Sequence, residues 1–163
     1  MKKEIIKGVL LSGILSLMIS CSDSKTEGTA STAVDKEQIK KEIQAKEDEF
    51  AATYNAREIK DIGYYADDAT TFFQNMPALV GKEAIVEFLK NDLMSANSNK
   101  ISFKTNEVFV SNDGNQVVET GYFKLADSTK AIINSGSYMV LFEKRNGAYV
   151  SVREMSTSHI PLE

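Results

Sequence analysis

Two glutamates are the residues best placed for acid–base chemistry. Glu119 lies in a stretch where strand alternation groups it with Val117, Gly121 and Phe123 on a face that is otherwise apolar or small. Glu154 alternates in the same way with Val150, Val152 and Ser156. A carboxylate on such a face sits in a low dielectric, which disfavours its charged form and makes it a usable acid near neutral pH. The competing assignment for Glu119 is a cross-strand pair with Lys or Arg at a sheet rim. Tyr54, Tyr122 and Tyr138 carry hydroxyls that could donate to a ligand oxygen, or satisfy themselves on backbone and water within a core.

Other chemistries are poorly supplied. His159 is the single histidine, and a His-based zinc site needs more ligands than that. A Ser-His-Asp arrangement would have to use His159 without any visible nucleophile elbow. Asp67 and Asp68 are adjacent carboxylates. Adjacent side chains do not face each other as a dyad must, so the sequence predicts Asp68 as a cap between a short helix and a strand. Arg153 is assigned to an outer face. We expect neither metal nor cofactor.

Cys21 is the single cysteine and ends an apolar run that follows Lys2-Lys3. A basic start, an apolar stretch and a small residue before a cut describe a signal peptide. The run is about 11 residues, against roughly 20 for a membrane-spanning helix. A cysteine directly after the cut resembles a bacterial lipoprotein signal, in which the thiol is acylated. We therefore expect residues 1–20 to be removed and Cys21 to hold a lipid. The protein would then sit in the bacterial cell envelope, anchored at the outer membrane and facing the periplasm or the surface. Residues 21–34 are small and polar and read as a flexible tether, about 40 Å when extended.

Cutting there removes three basic residues and one acidic one, which takes the formal charge from −4 to about −6. An acidic domain without a basic block is a poor partner for nucleic acid or an anionic membrane face. The lipid, rather than the surface charge, must supply the attachment.

The elements that position these residues follow in order. Asp35, with Gln38 three residues on, marks a helix start. Ile39, Ile43, Phe50 and Tyr54 recur at helical spacing, predicting a helix over 36–54. A short helix is predicted over 57–65, a strand over 69–74 and a third helix over 82–94. Four strands follow, over 101–110, 115–126, 131–144 and 148–157. Asn112-Asp113-Gly114 and Asn146-Gly147 are hairpin signals. Helices first and an antiparallel meander last predict one α+β domain over 35–163, with helices on one face of the sheet.

The segment from Tyr65 to Leu89 resembles the nuclear-transport-factor-2-like superfamily. That group includes SnoaL-like polyketide cyclases, ketosteroid isomerases and the association domain of calmodulin-dependent kinase. The likeness rests on the order of an acidic Tyr65-Ala66-Asp67-Asp68-Ala69 step, a strand, a loop and Gly81-Lys82-Glu83-Ala84-Ile85 opening a helix. Glu119-Thr120-Gly121-Tyr122, Gly136-Ser137-Tyr138 and Gly147 before Tyr149 extend it over about residues 36–161. The resemblance implies a cystatin-like cone, a strongly curved and mostly antiparallel sheet wrapped around three helices with an apolar pocket at one end. It implies that Glu154 occupies a position where such domains often carry an acid. Phe72, Phe73, Met76, Phe88, Leu93 and Met94 would supply apolar lining, with Tyr54, Tyr122, Tyr138 and Glu154 as polar contacts. The aspartate base of the ketosteroid isomerases would fall at Phe72 or Phe73, and a phenyl ring accepts no proton.

Three functions remain open on these grounds. One is a membrane-tethered domain that binds a small, partly apolar molecule without catalysis. Another is a simple isomerase, dehydratase or cyclase that uses Glu119 or Glu154. The third is a homodimeric assembly module pairing through outward residues such as Val110, Val118 and Leu141.

Overall fold

A computed structural model of the chain describes residues 34–59, 62–95 and 98–161. Cys21, the predicted signal peptide and nearly all of the predicted tether lie outside the described residues. Every element discussed below lies within Ala33–Glu163.

The element order is α1 (Lys36–Ala56), β1 (Tyr65–Phe72), β2 (Leu79–Val80), α2 (Lys82–Ser95), β3 (Lys100–Val110), β4 (Gln116–Ala126), β5 (Ile132–Arg145) and β6 (Ala148–Ser158). Asp35 caps α1 by accepting from the Gln38 N–H at 3.0 Å. Arg57 ends it in the left-handed conformation, φ 63°. The buried stripe of α1 is Ile39, Ile43, Glu47, Phe50, Ala51 and Tyr54, so a carboxylate rides inside an apolar face.

Among the described residues there are two helices, not three. The stretch predicted as a helix over 57–65 holds Gly63, and so short a helix has little intrinsic stability. Its apolar residues Ile59, Ile62, Tyr64 and Tyr65 are instead buried one by one in the core. The acidic step consequently lies within β1. Asp68 is exposed there and pairs with the Arg145 guanidinium rather than capping a helix. That partner holds its carboxyl below the usual carboxylate range.

The six strands form one sheet in the order β2-β1-β6-β5-β4-β3, antiparallel except for β1 beside β6. Asn146 and Gly147, both at positive φ, close the two-residue turn between β5 and β6. Each pair of adjacent long strands carries one register shift. Such shifts bend a strand and change which way its side chains point. The one in β6 matters most. Leu141 faces Arg153 and Phe142 faces Ser151, leaving Val152 as an extra residue. Ser151 and Val152 are consecutive and both buried. From there Val152, Glu154 and Ser156 take the inner face and Arg153 takes the outer one.

Two glycines make room for rings across the sheet. A Cβ on Gly121 would lie 2.3 Å from Tyr138 Cζ, and one on Gly136 would lie 2.3 Å from Phe123 Cε1. Each glycine stands opposite the strand neighbour whose ring covers it. Both rings thus lie over the opposing strand, and both line the cavity described below.

Candidate functional site

A cavity of about 350 Å³ opens among α1, α2 and the inner face of the sheet. That is near the small end for sites holding drug-sized ligands. Helix α1 contributes Phe50 and Tyr54, and α2 contributes Phe88, Leu89 and Asp92. The loop after β1 contributes Phe73, Gln74 and Met76, and Phe73 stacks on Phe88 with centroids 4.9 Å apart. From the sheet come Tyr65, Phe103, Phe123, Tyr138 and Glu154, with Asn134 and Ser158 at its far end.

Of the sequence-derived candidates, Tyr54, Phe73, Met76, Phe88, Tyr138 and Glu154 come together around this space. Tyr122 does not. It follows an odd-numbered inner set in β4, so it points to the outer face and is 49% exposed. Phe72 is likewise on the outside, Leu93 is in the core and Met94 is exposed. His159 Nε2 lies 2.9 Å from Ser137 Oγ at an exposed end of the sheet, and neither residue lines the cavity.

Glu154 Oε2 is buried and has no hydrogen-bond partner. The Tyr65 hydroxyl donates to the same carboxyl. Burial pushes Glu154 up to about 7, against the pull of the Tyr65 hydrogen bond and with help from the Glu119 charge. Glu154 is thus a carboxyl in the cavity wall with one buried, unpartnered oxygen and a proton affinity raised to neutral pH.

Glu119 is fully buried but sits beneath the cavity rather than in its wall. The expected rim pair with a basic residue is not formed. Thr105 Oγ1 donates to Glu119 Oε1 at 2.6 Å, and the Tyr138 hydroxyl donates to the same oxygen at 2.9 Å. Behind it lies Glu47, whose Oε1 accepts from the Tyr64 hydroxyl at 2.5 Å. Glu119 Oε2 is buried without a hydrogen-bond partner, and Glu47 lies near enough for the two carboxyls to act on each other's charge. Two carboxylates buried together are costly as a pair of anions, so the pair holds protons more tightly than free carboxyls do. Burial raises both, and the charge of Glu119 raises Glu47 further. Glu47 was not singled out in the sequence. The signal was there: it is four residues from Ile43 and three from Phe50, on the apolar stripe.

No protein-family model matches the sequence, and no curated protein matches it either. Solved structures do match. A ketosteroid isomerase-like protein from Erwinia carotovora atroseptica is 17% identical, with a TM-score of 0.59, over 74% of this chain and 96% of that one. A domain of unknown function with a cystatin-like fold from Nostoc punctiforme is 11% identical, with a TM-score of 0.67, over 78% and 79%. A nuclear-transport-factor-2-like protein with a cystatin-like fold from Novosphingobium aromaticivorans is 11% identical, with a TM-score of 0.59, over 73% and 80%. The chain has the α+β fold of these structures.

Proposed function

We propose that this domain binds a small, partly apolar molecule in the cavity, with Glu154 as its buried polar anchor. The observation that carries the reading is the unpartnered Oε2 of Glu154, sealed from water on an aromatic wall. A buried polar atom without a partner is costly, and a ligand group that bonds it removes that cost. Tyr54, Phe73, Met76, Phe88 and Tyr138 supply the apolar and aromatic contact surface. Native mass spectrometry of the gently purified full chain is expected to show a co-purifying small molecule that is lost from Glu154→Gln. An empty cavity in both proteins would overturn the reading.

A second reading is proton transfer, favoured by a Glu154 carboxyl poised at about 7. Phe73, one of the two positions where the resemblance puts an isomerase base, lines the cavity and offers no proton acceptor. Any such reaction would therefore run through Glu154, with Glu119 and Glu47 behind it as positioning residues.

We extend the proposal to the whole chain. The lipid on Cys21 would tether the domain at the cell envelope, outside the cytoplasm, consistent with its acidic charge. Cys21→Ala is expected to abolish partitioning into detergent, and unchanged partitioning would overturn the anchor.

The outer face of the sheet carries Phe72, Met139 and Met155 in register across β1, β5 and β6, all at least 44% exposed. Val118 and Leu141 stand beside them. Val110 does not join this face, because it pairs with the buried Val117 and packs on the core. A second copy of the chain would cover this stripe, and the same native spectrum would report the dimer mass.

A further inference from the structure

We infer that the occupant of the cavity is an organic ammonium ion, a protonated amine on an apolar body, seated with its nitrogen against Glu154. The inference rests on the cavity being a binding site and adds the charge and polarity of what it binds.

The first argument concerns hydrogens. A phenol has one hydrogen to donate. Tyr138 gives its hydrogen to Glu119, Tyr54 gives its own to Asp92 at 2.5 Å, and Tyr65 gives its own to Glu154. All three tyrosines line the cavity, and all three can only accept from a ligand. Glu154 Oε2 is also an acceptor, buried and unpartnered. The nearest other side-chain donor on this face is the Ser156 hydroxyl, two residues and about 7 Å along β6, and Gln74 and Asn134 are held at Ser158, about 13 Å from Glu154. The Glu154 end therefore asks for a ligand that donates.

The second argument concerns charge. Among the described residues, Glu154 and Asp92 line the cavity and no Lys, Arg or His does. Glu119 and Glu47 lie behind Glu154, close enough to raise its proton affinity or to be raised by it. Arg153, next in sequence, turns away and donates to the Asp68 and Val152 carbonyls. Once Glu154 is ionised, above about pH 7, the field at this end is negative, which disfavours carboxylate and phosphate ligands and favours a cation.

The third argument concerns the wall. Tyr65, Phe50, Phe103 and Tyr138 form a chain of edge-to-face rings, with successive centroids 6.1, 5.5 and 5.6 Å apart. Aromatic faces attract a cation that has lost its water. A carboxylate beside such a wall suits an ammonium with N–H groups.

The test is calorimetric titration of the full chain at pH 8 with three probes of one shape: 2-phenylethylamine, 2-phenylethanol and phenylacetate. The amine is expected to bind at least about tenfold more tightly than the alcohol, and phenylacetate not at all. Glu154→Gln is expected to abolish the preference for the amine while keeping the alcohol. Tyr122→Phe, on the outer face of the sheet and away from the cavity, is expected to retain the preference and controls for the fold. Equal binding of alcohol and amine, or binding of phenylacetate, would overturn the charge assignment while leaving the cavity as a binding site. No binding by any of the three would overturn both.

Discussion

The protein is expected to melt at a higher temperature at pH 5 than at pH 8. Glu154 is raised from an ordinary value of 4.5 to about 7, mainly because burial disfavours its charge. Between those values the folded chain keeps a proton that the unfolded chain has released. Stability is therefore full below about pH 4.5 and is lost as pH rises toward 7. At about 1.36 kcal/mol per pH unit the loss from Glu154 is about 3 kcal/mol. For a domain of this size that corresponds to roughly 10 °C. Glu47 and Glu119 are raised for the same leading reason and act in the same direction. The carboxyls held low, Asp68, Asp113 and Asp127, act in the opposite sense, but at acid pH below this window. Calorimetric melting across pH 5 to 8 decides the matter, and Glu154→Gln should flatten part of the slope. A melting temperature that is constant or rises with pH would refute the assignment of a buried, proton-holding carboxyl cluster.

Glu119→Ala is expected to cost about 3–5 kcal/mol, while Glu119→Gln costs about 1 kcal/mol. Alanine would leave Thr105 Oγ1, the Tyr138 hydroxyl and the Glu47 carboxyl facing a void. Glutamine keeps the shape. Its carbonyl oxygen can accept from Thr105 and Tyr138, and its amide takes the place of the unpartnered Oε2 on the side of Glu47. Urea unfolding of the two variants at pH 7 measures the difference. Equal costs would mean that the network contributes only packing volume. The contrast also bears on the cavity, because Tyr138 would lose the acceptor that keeps its hydrogen turned inward.

Much of this was readable in the chain. The alternation of Val117, Glu119, Gly121 and Phe123 is the inner face of β4, and the hairpin at Asn146-Gly147 turns where two residues at positive φ are required. What escaped has definite causes. Tyr122 was grouped with the pocket although it is one residue out of phase with that inner set. Val110 was assigned outward because the extra residue in β3, between Thr105 and Glu107, is invisible to simple alternation. In place of the predicted helix over 57–65, the described apolar residues Ile59, Ile62, Tyr64 and Tyr65 are each buried in the core, with one turn-type bond from the Ile62 N–H to the Ile59 carbonyl. Glu47 was passed over because a charge on an apolar stripe reads as a helix-face irregularity until its partner, 72 positions away on β4, is seen.

The polarity of the cavity depends on the bulge at Val152. Arg153 and Glu154 are neighbours with opposite charges, and which of them faces inward is settled by a count of residues rather than by either side chain. Deleting Val152 would restore plain alternation and leave Arg153 outward and Glu154 inward, because their pairings with Leu141 and Val140 are unchanged. Straightening the bulge with every residue retained would instead exchange the two faces beyond it and present a guanidinium where a carboxyl now stands.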